Sequence, residues 1–219
     1  MVEVAELRRG SGSEPIGPTV TTSMYTACMS TRERLIESTR ELLWERGYVG
    51  TSPKAILQRA GVGQGSMYHH FSGKHDLALA SIRRTSEELL AKAEEQFTAP
   101  GPVVERITAY LQRERDVLKG CPVGRLTQDP DVMADPALRA PVDETFDRLR
   151  HRLKEVFEEG RDRGELNAAM SPTEAASTVV AVLQGGYVLA RAADSTEPFE
   201  QAVTGVLGLL ACQAATPSQ

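Results

Sequence analysis

The sequence predicts an all-α fold on three observations. Apolar residues recur at spacings of three and four from Thr31 onward. No strand-like alternation of useful length interrupts them. Aromatic residues make up only 5% of the 219, while Ala, Leu, Glu and Arg are abundant, which suits helices better than a β-sandwich or barrel. At about 150 residues per domain, this length allows one large domain or two small ones. Hydrophobic residues at 41% and charged residues at 25% exclude a chain disordered throughout and do not favour a membrane protein.

Each element has a local cause. Residues 1–30 hold Gly10-Ser11-Gly12-Ser13 and the turn formers Pro15, Gly17 and Pro18 without a sustained period, and are expected to be a flexible leader with no secretory signal. Leu35, Ile36, Thr39, Leu42 and Leu43 share one face of a first helix, which ends near Gly47. Thr51-Ser52-Pro53 then offers a hydroxyl cap and a proline at the first helical position. A short second helix follows through Ile56, Leu57 and Ala60. Gly61-Val62-Gly63 breaks it, Gln64 to Phe71 makes a third helix, and Ser72-Gly73 breaks the chain again. Lys74 to Phe97 is a long fourth helix with the stripe Ala78, Ile82, Thr85, Leu89, Ala93, Phe97.

A fifth helix is predicted over Val103 to Lys119, followed by a broken region from Gly120 to Asp131. Val142, Phe146, Leu149, Leu153, Val156 and Gly160 define an amphipathic helix stopping around Gly164. Ser171-Pro172 opens an apolar helix that ends near Ala193, and Pro198 to Cys212 forms the last, with Phe199, Val203, Val206 and Leu210 on one side. The charge-free run Ala175 to Ala190 is too short and too polar for a bilayer that needs about 20 residues, so it reads as a buried helix and no membrane partner is expected.

A net charge of −5 argues against indiscriminate coating of nucleic acid, but the distribution is uneven. Residues 31–75 carry seven bases against four acids, whereas residues 76–219 carry sixteen against 23. A basic module on an acidic body suits a protein of which one face meets polyphosphate. Cys28, Cys121 and Cys212 are odd in number and far apart, which excludes a disulfide framework or a CxxC metal knuckle and suits a reducing cytoplasm. There is no GxxxxGK[ST] or GxGxxG, and no nucleophile and base share a motif, so neither a cofactor nor an enzyme is expected.

Thr51 to Leu77 carries the chemistry. Two short helices cannot bury much alone, so Ile56, Ala60, Val62, Met67 and Phe71 must pack on the first and fourth helices. Gln64, Ser66, Tyr68, His69 and His70 then face outward. Such a helix suits the DNA major groove: Gln64 and Ser66 meet base edges, and Gly65 admits the backbone closely. Tyr68, His70 and Lys74, with the helix starts at Ser52 to Lys54 and Gly73 to Lys74, serve as phosphate donors. His69 and His70 point about 100° apart and cannot share a metal unaided, so they too are read as DNA-facing.

Ser52, Ile56, Ala60-Gly61-Val62, Gly65-Ser66-Met67-Tyr68, His70-Phe71, Lys74 and Leu77 resemble the TetR/AcrR family of bacterial one-component repressors. Gly120 to Leu126, GCPVGRL, resembles a segment of the LmrA/YxaF-like branch. Gly63 stands where that family usually has a Ser or Thr cap, and His69 occupies a variable reading position.

The resemblance implies three segments: the leader (1–30), a helix-turn-helix DNA-binding domain (31–77), and a helical ligand-binding and dimerisation domain (78–214). It implies a homodimer joined through the last two helices, a palindromic double-stranded operator, and a small-molecule inducer that moves the fourth helix as a lever. Tyr110, Phe146, Gln184 and Tyr187 are the expected cavity residues, with Cys121 beside them. Arg113 and Arg115, among Glu105, Glu114 and Asp116, are expected on a solvated face. Two other readings remain: a thiol-responsive repressor acting through Cys121, and a helical small-molecule-binding protein or enzyme without DNA binding.

Overall fold

The computed structural model describes residues 29–214, so the leader expected over residues 1–30 lies almost wholly outside the described residues. The helices are α1 (Thr31–Arg46), α2 (Pro53–Ala60), α3 (Gln64–His70), α4 (Lys74–Phe97), α5 (Val103–Gln112), α6 (Pro130–Ala134), α7 (Pro136–Asp162), α8 (Pro172–Ala193) and α9 (Glu197–Ala211), with a 3-10 turn at Gly124–Gln128. Among the described residues there is no strand, only an isolated bridge between Leu166 and Ala214.

The predicted caps act as such. Ser52 accepts the Ala55 N–H at 3.2 Å ahead of Pro53, and Ser171 accepts that of Glu174 ahead of Pro172. Gly61 closes α2 at φ +63°, a left-handed conformation that favours glycine. Two caps escaped the sequence reading. Asp129 caps α6 and Asp135 caps α7, each followed by proline, and so α7 begins at Pro136, ahead of the Val142 to Gly160 stripe.

α5 corrects the sequence reading, which ran the fifth helix to Lys119. It stops at Gln112 because Arg113 turns extended (φ −54°, ψ 149°). The Arg115 guanidinium then reaches back to the Tyr110 carbonyl at 2.5 Å, satisfying an acceptor at the helix end. Asp116 accepts the Lys119 N–H at 3.0 Å, which holds the following turn.

Three clusters build the core. Leu35, Ile36, Leu42, Ile56, Ala60, Met67, Phe71 and Leu77 bind α1 through α4 into the helix-turn-helix. Leu43, Ala78 and Ile82 pack with Cys121, Val123, Leu126, Val132, Leu138 and Val142, joining α1 and α4 to the 3-10 turn, α6 and α7. The third runs from Ala93 and Phe97 through α5, α7 and α8 to Leu210 of α9. Gly186 lets α8 approach α9, since a Cβ there would lie 2.9 Å from the Phe199 ring. The Arg106 guanidinium, buried between α5 and α7, donates to both oxygens of Glu159 at 2.8 and 3.0 Å.

Candidate nucleic-acid interface and ligand cavity

α3 hangs from one fully buried side chain, Met67, with Phe71 buried just beyond it. The rest of its surface therefore turns outward. Gln64, Gly65, Tyr68, His69 and His70 are exposed and Ser66 is half-buried. The His69 and His70 rings meet edge-on at 4.9 Å. Lys54, at the exposed start of α2, lines one groove with Gln64 and Tyr68. Gly63 caps α3 without a side-chain hydrogen bond.

Two predicted phosphate donors are already engaged. The Ser52 hydroxyl accepts the Ala55 N–H, which leaves its own proton available to an anion. Lys74 is half-buried: its Nζ donates to the Tyr48 carbonyl at 2.7 Å and sits 3.8 Å from the Tyr48 ring centroid. Burial lowers its pKa, against the pull of Asp129 and Asp131. The basic balance of residues 31–75 is also partly spent internally. Arg40 pairs with Glu37 and Glu88, and Arg59 with Glu41 and Glu45, which leaves Arg32, Arg46 and Lys54 as exposed bases.

The five residues expected at a ligand all border one cavity of about 400 Å³ among α1, α4, α5, α7 and α8: Tyr110, Cys121, Phe146, Gln184 and Tyr187. Burial pushes the Tyr110 hydroxyl up to about 12 and raises Tyr187 as well. The Cys121 Sγ accepts the Gly124 N–H at 3.2 Å in the cavity wall. Cys121, Phe146, Gln184 and Tyr187 also border a second hollow of about 880 Å³ toward Arg125 and Arg191.

Arg113 and Arg115 are the main correction at the site. They are not a solvated face: both line the cavity and lie over Tyr110, with guanidinium carbons 5.0 and 5.8 Å from its ring centroid. The end of α5 turns them inward, so no helical periodicity applies to them.

The segment after α5 also grips the helix-turn-helix. Trp44 Nε1 donates to the Gly120 carbonyl at 2.9 Å, and the Arg125 guanidinium donates to the Trp44 and Glu45 carbonyls. Asp129 Oδ2 accepts the N–H groups of Tyr48 and Val49 at 2.6 and 3.0 Å.

A helix-turn-helix with an outward polar second helix, continuous with a helical body around a cavity, defines a DNA-binding regulator. The profile described as "Bacterial regulatory proteins, tetR family" matches residues 35–81, and that described as "Tetracyclin repressor-like, C-terminal domain" matches residues 102–206. The chain is similar to the HTH-type transcriptional repressor NemR of Escherichia coli, with 26% identity over 84% of this chain and 96% of that protein. It is similar to the HTH-type transcriptional regulator LmrA of Bacillus subtilis, with 28% identity over 76% of this chain and 89% of that protein. A solved TetR transcriptional regulator from Chloroflexus aurantiacus superposes with a TM-score of 0.76 at 26% identity, covering 84% of this chain and 96% of that one. The chain belongs to the TetR family and is a ligand-responsive transcriptional repressor of that kind.

Proposed function

We propose that this chain acts in the cytoplasm as a homodimer that holds a palindromic operator through two copies of α3 and lets go when a small molecule fills the cavity beside Tyr110. The observation that carries this reading is α3 itself, a short helix anchored by Met67 with its polar side chains in solvent. Gln64, Ser66 and His69 read base edges, Gly65 admits the backbone, and Ser52, Lys54, Tyr68 and His70 fix register on phosphates. Lys74 joins them once its ammonium leaves the Tyr48 carbonyl. The dimer face is assigned to α8 and α9, where Val188, Leu189 and Leu209 are 64%, 55% and 67% exposed.

Release is a population shift: the inducer must bind the arrangement that fails on DNA more tightly than the one that succeeds. α4 suits a lever, because at 1.5 Å per residue its length is about 36 Å, running from Leu77 in the helix-turn-helix core to Phe97 in the main core. Gel retardation of the gene's own upstream region at low salt tests the reading. A retarded band that Gln64→Ala redistributes among operator variants supports it, and no retardation by the unaltered protein overturns it. The position of Cys121 in the cavity wall favours a thiol-responsive variant of the same mechanism. Peroxide sensitivity of DNA binding that survives Cys121→Ser eliminates that variant.

A further inference from the structure

The cavity holds a pair of like charges with no carboxylate assigned to them. Arg113 Nη1 and Arg115 Nε are out of reach of solvent and have no hydrogen-bond partner among the described residues. Neither side chain forms an ion pair among those residues. The acids that share the lining are committed elsewhere: Glu37 and Glu88 hold Arg40, Glu41 faces Arg59, and Asp116 caps Lys119. Glu114 is exposed. Burial lowers the Arg115 pKa, and Arg113 adds to that effect against the opposing pull of Tyr187 and Tyr110. Partial relief comes from the Tyr110 face beneath both cations, the Phe199 ring 5.5 Å from Arg115, and the Tyr110 carbonyl.

Holding two half-buried guanidinium groups side by side over one buried aromatic ring, with no carboxylate between them, is unfavourable. A sequence needing only a filled core would place apolar side chains here. Phe146, Leu149 and Leu183 give the same lining an apolar stretch. Such a site offers forked donors at one end and apolar walls at the other, and guanidinium matches the two oxygens of a carboxylate better than any neutral group.

We propose that the cavity takes a small organic carboxylate with an apolar body, its charged end held by Arg113 and Arg115 and its body lying against Phe146 and Leu183. The proposal rests on the reading of this cavity as the regulatory site, and names the class of molecule that site takes. Seating the anion neutralises the pair and draws in the side chains of the segment that also holds Gly120, to which the indole of Trp44 is bonded.

That indole supplies the assay, since Trp44 is the chain's one tryptophan. Benzoate and octanoate are titrated against benzamide and octanamide, following Trp44 fluorescence and melting temperature in the full chain and in Arg113→Gln. The expected result is saturable binding of a carboxylate, with its amide about 10- to 100-fold weaker, as one charge-assisted contact requires. Carboxylate at about 100 times its Kd raises the melting temperature by roughly 5–10 °C. Arg113→Gln lowers carboxylate affinity by the same 10- to 100-fold and leaves the amides unchanged. Should that variant fail to fold, the comparison of acid with amide in the unaltered protein still decides.

Amides binding as tightly as acids, no response to any carboxylate, or undiminished carboxylate binding by folded Arg113→Gln overturns the proposal. Gel retardation of the upstream DNA in the same preparations separates the two claims. Retardation with silent carboxylates overturns the anion alone, and carboxylate binding without retardation overturns the repressor reading alone.

Discussion

Asp129→Ala removes the carboxylate that joins the α1–α2 turn to α6, and its effect can be worked from four distances. Oδ2 accepts Tyr48 and Val49 N–H at 2.6 and 3.0 Å, and Oδ1 accepts Asp131 and Val132 N–H at 3.2 and 3.3 Å. A hydrogen bond to a charged group is worth about 1.5–3 kcal/mol and a helix cap about 1 kcal/mol. Val49 is exposed, so its freed N–H returns to water and the sum is discounted to about 3 kcal/mol. For a chain of this length the expected fall in melting temperature is roughly 6–12 °C. Circular dichroism melting measures it, and Asp129→Asn, which keeps one acceptor oxygen, should recover about half. Gly47→Ala strikes the same clamp from the other side, since its Cβ would come 2.7 Å from Asp129 Oδ2 at a backbone φ of +73°. The double variant should therefore lose less than the sum of the single losses. A change under about 2 °C for Asp129→Ala, or strict additivity with Gly47→Ala, refutes the clamp.

Lys54→Ala should weaken binding to all DNA alike and reduce the slope of log affinity against log salt by about 1, whereas Gln64→Ala should relax preference at one base position by about 1–3 kcal/mol. Gel shifts against operator variants at several salt concentrations separate the two. The Arg106 guanidinium beside Glu159 holds that carboxyl below its ordinary value of 4.5. Because the folded pKa is depressed, the stabilisation is complete above 4.5 and is lost as pH falls below it, so Glu159→Gln should flatten the acid limb of melting temperature against pH. Leu209→Glu, at an exposed apolar position on α9, should shift sedimentation toward monomer and weaken operator binding, with little change in monomer melting.

The helix-turn-helix was legible in the sequence because its signals are local. Ser52-Pro53 starts α2, Gly61 ends it, and Met67 is the one side chain of α3 that must be buried. Ser171-Pro172 marked α8 in the same way. The end of α5 was not legible, because no cap residue at Gln112 announces the stop: Arg113 turns extended, and Arg115 then reaches back five residues to the Tyr110 carbonyl. The same contact hid Arg113 and Arg115, which beside Glu114 and Asp116 read as surface until the chain direction changed. Trp44, Arg125 and Asp129 were missed for a related reason. Their partners are main-chain groups about 80 residues away, and an N–H or carbonyl carries no sequence signature.

The segment between α5 and α6 therefore has two faces. Arg113, Arg115 and Cys121 form the cavity wall, while Gly120, Arg125 and Asp129 hold the end of α1 and the turn after it. A ligand that displaces this segment must act on the helix-turn-helix directly as well as through α4. Trp44→Phe tests the direct route, since it keeps an aromatic side chain and deletes the bond to the Gly120 carbonyl. One neutral hydrogen bond is worth about 1 kcal/mol against a usual allosteric coupling of about 1–3 kcal/mol. Losing it should cut the ligand's effect on operator affinity by roughly fivefold, with ligand affinity in the absence of DNA nearly unchanged. Fluorescence polarisation with labelled operator, with and without ligand, gives that ratio. An unchanged ratio in Trp44→Phe takes the coupling off the Trp44–Gly120 bond and leaves it to α4 or to the Arg125 and Asp129 contacts with the end of α1.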